Sequence, residues 1–174
     1  MSGELEEIEV EGAPGSILAQ LQRAAAAQQE EQRIEIPVGG AFAGLLSIRY
    51  RPLNPDQMDR YVAKRARIID KGGELADISS TDSSMDLMAQ ACVCLIDRAG
   101  GELAAEGEPP CRLDARLARL LDLSFPEGFE PTARDVILRL FGGNALAIDA
   151  HASRLLDWMR QPVEVPGLGE APGG

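Results

Sequence analysis

The chain has 174 residues, of which 28 are Asp or Glu and 17 are Lys or Arg, for a net charge of −11. That length fits one domain, or one domain with tails; its 45% apolar fraction can furnish a core, although aromatics make up only 4%. So acidic a balance speaks against nucleic-acid binding, and no uninterrupted apolar run approaches the roughly 20 residues of a membrane-spanning helix.

Residues 1–15 are expected to be an acidic flexible tail: Glu4, Glu6, Glu7, Glu9 and Glu11 stand without a base, and Gly12, Pro14 and Gly15 follow. Acids occupy the place where a signal peptide needs a basic and then an apolar region. Three cysteines, an odd number, imply no disulfide framework, so a reducing cytoplasm is the expected compartment. Ser16 can cap a helical arm over 16–32. Ile17, Leu18 and Leu21 lie in its first turns, but the Ala- and Gln-rich remainder carries no apolar stripe, so only those turns are expected to pack on the body.

The body is expected to span 33–160. Polar and apolar residues alternate over 33–38 and again over 44–51, which reads as a hairpin. Pro37 has no amide hydrogen and marks an edge strand. Two strands alone are marginal in water, so the hairpin must lie against helices. Asn54-Pro55-Asp56-Gln57 then combines a capping side chain, proline at the first helical position and glutamine at the capping-box position. The helix it opens is predicted from Pro55 to about Lys71, before Gly72-Gly73. Met58, Val62 and Ile69, with Tyr61 and Ile68 beside them, form its apolar face. Arg60, Lys64, Arg67 and Lys71 form a basic stripe opposite, and Arg65 falls on the apolar side, where it needs a partner or a route to solvent.

The polar run Ser79–Ser84 reads as a capping turn before a helix from Ser83 or Ser84 to Arg98. That segment is apolar nearly all round, with Asp86, Gln90 and Asp97 in one narrow sector, as suits the middle of a bundle. A short helix is expected from Asp114 to Leu123, broken by Phe125-Pro126 and Gly128. Thr132 and Asp135 resemble a cap that opens a helix to Phe141. After Gly142-Gly143, Asn144 can cap a last helix to about Arg160, with Ile148, Ala152, Leu155, Leu156 and Met159 in one stripe and His151 and Trp158 at its edge. Residues 161–174, with three prolines and four glycines, read as a flexible tail. The expected fold is therefore mainly α: a small helical bundle around one buried central helix, with a short β-hairpin near the N-terminal end of the body.

No constellation for chemistry emerges. On a helix Cys92 and Cys94 point about 200° apart and cannot share a metal, and Cys111 is distant, so buried structural thiols are expected. His151 is the sole histidine; a catalytic role would need an orienting carboxylate and a nucleophile, and a half-buried histidine beside Trp158 is the simpler reading. No phosphate-loop, dinucleotide or zinc-protease motif is present. The expectation is a non-enzyme without cofactor or metal. Charge distribution says more: residues 49–71 hold seven bases and three acids in a chain otherwise acidic. That island is either a face balanced within the fold or a site for an acidic partner, such as another copy's N-terminal tail. The edge formed by Leu155, Trp158 and Met159 is a second candidate surface, which can equally close the domain's own core.

Three stretches carry a resemblance to the tail assembly chaperones of long-tailed bacteriophages and prophages: RIEIPVGG…LLSIRYRPLNPDQMDRY, SSMDLMAQACVCLID, and the closing TARDVILRLFGGNALAIDAHASRLLDWM. Together they cover roughly 33–160. The resemblance implies a non-enzymatic protein of the bacterial host cytoplasm. It would bind the helical tape measure protein, keep it soluble while tail-tube subunits polymerise around it, and be absent from the mature virion. It also implies that a frameshifted extension could join at the tail from Gln161. The other readings left open are a permanent tail or neck subunit and a small acidic cellular regulator.

Overall fold

The computed structural model describes residues 16–70 and 74–161. The chain divides into two units, Met1–Arg33 and Ile34–Gly174. The expected tails lie outside the described residues, apart from Gln161, which is exposed. In the first unit, α1 (Ile17–Glu31) starts where expected. The Ser16 hydroxyl accepts a hydrogen bond from the Ala19 amide at 3.2 Å, satisfying one of the donors that a helix start leaves open.

The second unit corrects the expected fold class. It is a mixed α/β domain and not a helical bundle with a hairpin: strands β1 (Ile34–Pro37), β2 (Leu46–Tyr50) and β3 (Cys92–Asp97) form one antiparallel sheet in the order β1-β2-β3. Among the described residues five α-helices accompany it: α2 (Pro55–Asp70), α3 (Glu74–Ala91), α4 (Ala115–Leu120), α5 (Ala133–Leu140) and α6 (Ala145–Met159). The hairpin is present, with Pro37 on the edge strand. The unexpected strand is the second half of the segment read as the central helix. Residues 87–96 are apolar without a clear period, and such a run fits a helix or a buried strand equally well. Pairing with β2 decides the matter, since Leu95 lies opposite Ile48 and Ile96 opposite Ser47. The far edge of β3 is covered by the chain that follows: the Leu95 amide donates to Cys111 O at 3.0 Å and the Leu103 amide to Leu95 O at 2.9 Å.

The helix at the centre is α3, which packs on α2, α5 and α6. It begins well before the expected start, so Ser79–Ser84 lie inside it and do not form a capping turn. Two of the hydroxyls find tertiary partners, while the buried Ser83 Oγ has none among the described residues. Ser84 Oγ donates to Asp149 Oδ1 at 2.7 Å and Thr81 Oγ1 to Asp149 Oδ2 at 3.1 Å, tying α3 to α6. Beneath the helices, Ile48 and Tyr50 from β2 and Leu95 from β3 meet Leu87, Met88, Leu117, Ile137, Leu140, Ile148 and Leu155 in one core. No helix among the described residues is long and apolar enough to cross a membrane.

The caps form as the sequence chemistry requires. Asn54 and Gln57 exchange reciprocal bonds (2.8 and 3.1 Å) at the start of α2, and Asp114 caps α4. At α5 the Thr132 amide and hydroxyl both donate to Asp135 Oδ2, at 2.8 and 2.6 Å. Those bonds hold the Asp135 carboxyl below its usual range. Thr132→Ala removes the capping oxygen and is expected to lower stability by about 1 kcal/mol. Thermal unfolding read by circular dichroism measures it, and an unchanged midpoint would mean that the cap is redundant.

Candidate functional site

The basic stripe proves to be partly committed within the fold. Lys64 forms an ion pair with Asp86 of α3, and the same carboxylate accepts from Arg134 Nε and Nη2 of α5 at 3.0 and 2.9 Å. Burial alone would raise the Asp86 carboxyl, but the bonds from Lys64 and Arg134 outweigh it and hold the group below its usual range. Arg60 Nε donates to the Asp56 carbonyl one turn earlier at 3.1 Å, while Arg67 is exposed. Lys71 lies outside the described residues. Arg65 solves its misplacement by donating to the Tyr61 hydroxyl at 2.9 Å. The apolar face of α2 is narrower than expected: Tyr61 is buried, Met58 half-buried, and Val62 is 56% exposed. The side chains of Ile68 and Ile69 lie outside the described ones.

On α6, Leu155 is wholly buried and belongs to the core, so it offers a partner no surface. Trp158 and Met159 are half-buried and packed against that core. His151 sits inside and not half-buried at an edge. Its Nε2 lies 2.9 Å from the Tyr50 hydroxyl, and its ring meets the Phe141 ring edge-on at 5.1 Å. Burial, aided by the charge of Arg154, lowers its pKa to about 4, so it is neutral near pH 7.

Cys92 and Cys94 lie on a strand, which overturns the helical argument about them. Residues two apart on a regular strand share a face, yet these two do not. The register shifts between Arg49 and Tyr50, leaving Cys92 opposite Tyr50 and Cys94 opposite Arg49. Cys92 therefore enters the core, where burial pushes its thiol up to about 11. Cys94 joins Arg49 on the other face, where that guanidinium bridges Glu35 and Glu102 at 2.7 and 2.8 Å. None of the three cysteines is in a disulfide, and all three are buried. Among the described residues, no three His, Cys, Asp or Glu side chains gather as a metal would require.

Instead, the structure assembles an apolar groove that sequence reasoning passed over. After α4, Asp122 adopts φ 50°, which lets the helix stop and the chain turn into the 124–131 loop. In that loop the Phe125 and Phe129 rings stack with centroids 5.8 Å apart. The Arg139 guanidinium of α5 lies 5.5 Å from the centroid of Phe125. Together with Leu138 and the Gly142-Gly143 turn they line a cleft of about 570 Å³. Phe129 is 48% exposed and Leu138 37%. Phe125-Pro126 had signalled only a break. The one available hint was two phenylalanines, four apart, in a chain with only four of them. No family model matches this chain, and comparison with curated proteins and with solved structures finds none similar to it.

Proposed function

We propose that this protein is a tail assembly chaperone of the long-tailed phage type, a non-enzymatic holder of the helical tape measure protein during tail-tube polymerisation. It would act in the bacterial host cytoplasm and leave before the virion matures. The reading begins from the three stretches that resemble such chaperones. The observation that carries it furthest is the open apolar groove between α5 and the 124–131 loop, whose α5 wall lies within the closing stretch of that resemblance. A holder of amphipathic helices needs an apolar seat on an otherwise soluble exterior, and a net charge of −11 keeps a coated filament dispersed. Burial of the imidazole and the thiols fits a binding role better than a nucleophile's.

The test is co-expression with the long helical protein encoded beside it, followed by size-exclusion chromatography of the soluble fraction. The expected result is a client that becomes soluble and co-elutes with several copies of this chain. A client that still precipitates, with this protein recovered from purified virions, would replace the reading with that of a permanent tail subunit.

A further inference from the structure

We propose that the groove between α5 and the 124–131 loop seats one turn of an amphipathic helix that presents a large apolar side chain beside a carboxylate. The identity of the helix's owner rests on the chaperone reading; the groove and its preference do not.

Three observations define the occupant. Phe129 and Leu138 both leave apolar surface open in the cleft, which calls for a large apolar side chain against them. The end of the cleft is Gly142-Gly143, with φ of +62° and +70°, where an added Cβ would meet nothing within 4 Å. A partner backbone can therefore approach closely there. The charge is specific as well. Among the described residues Arg139 has no carboxylate within ion-pair distance, and its guanidinium makes no side-chain hydrogen bond. Asp135, the acid one turn earlier on α5, has Oδ2 committed to the Thr132 cap. Asp135 keeps its own charge, but among the described residues Arg139 is the charged side chain of the groove without a bonded partner, and its guanidinium lies over the Phe125 ring.

The occupant must also satisfy its own backbone, because the groove lies between a helix whose main chain is already bonded and a loop, and none of its lining residues belongs to a strand. An extended peptide would need an open strand edge; a helix needs only the apolar face and the acid.

The probes are two labelled helical peptides of equal length with leucines at helical spacing, one flanked by glutamates and the other by lysines. Binding to the full chain is read by fluorescence anisotropy. A protein this acidic attracts the lysine peptide non-specifically, so a preference for the glutamate peptide is a stringent result. We expect that preference to be at least about fivefold, Arg139→Glu to reverse it, and Phe129→Ala to weaken the glutamate peptide by about tenfold. Emission of the sole tryptophan and far-UV circular dichroism establish that both variants are folded. A preference unmoved by Arg139→Glu overturns the proposal, as does an affinity unmoved by Phe129→Ala. A dimer that Leu138→Glu dissolves, and that the glutamate peptide cannot displace, would assign the groove to a second copy and overturn it too. If both variants still solubilise the co-expressed client, the groove assignment falls and the chaperone reading stands. If the wild-type chain fails to solubilise the client yet shows the charge reversal, the chaperone reading falls and the groove stands.

Discussion

Leu155→Ala is expected to lower the unfolding free energy by about 2–5 kcal/mol, because it removes a wholly buried side chain where the core cannot fully collapse. Its neighbours on α6, Ile148 and Ala152, are buried too, and α6 packs on α3, α5 and β1. A void there loses contacts to sheet and helices at once. The companion variant is Leu146→Ala in the first turn of the same helix, where the side chain is 81% exposed; its effect should stay within about 0.5 kcal/mol. Urea unfolding of the two variants, compared at constant slope, separates them. A Leu155 variant less than about 1 kcal/mol below wild type would mean that α6 is only loosely seated. The comparison also bears on function. Any loss of client binding in a Leu155 variant would come through the fold, so the side chains that can report on binding directly are those of the groove at α5.

The parts of this fold that could be read in the sequence are those whose chemistry closes within a few residues. Asn54 with Gln57, Thr132 with Asp135, and Asn144 with the Ala147 amide each make their bonds across three positions, so the starts of α2, α5 and α6 were legible. The failures all involve distant partners. Cys92–Asp97 becomes a strand because Leu46–Tyr50 offers an edge to pair with, and an apolar run contains no trace of that edge. Ser84 becomes helical interior because its hydroxyl reaches Asp149, 65 residues on. Read locally, a run of serines competes with the helix for backbone bonds. The same distinction governs the candidate site. Lys64 belonged to a regular stripe and was easy to single out, but its charge is met by Asp86, which only the packing of α2 on α3 brings near. Phe125, Phe129 and Arg139 have no shared period, since two lie in a loop and one on a helix. Their meeting is a product of tertiary structure alone.

Acidification from pH 6.5 towards 4 is expected to destabilise the domain by about 3 kcal/mol through His151 alone. Its folded pKa is lowered to about 4 from 6.5, first by burial and then by the charge of Arg154. Above pH 6.5 the imidazole is neutral in both states and contributes no pH dependence. Between 6.5 and 4 the unfolded chain takes up a proton that the folded chain refuses, so stability falls as pH falls. Below about 4 both states are protonated and this contribution is spent. The carboxylates held below their usual range, Asp86 and Asp135, act in the next window down, where their stabilisation is lost as pH falls through their folded values. Urea titrations at intervals between pH 7 and 4.5 therefore isolate the histidine. His151→Gln keeps an acceptor for the Tyr50 hydroxyl, 2.9 Å from Nε2 in the native pair, and removes the titrating group. It should flatten the dependence while costing some stability at pH 7. A wild-type profile already flat across that interval, or a glutamine variant with the same slope, would place the proton elsewhere and require the Tyr50–His151 pair to open at little cost. The steep outcome would mean that β2 and α6 are joined by a bond that holds only while the imidazole stays neutral.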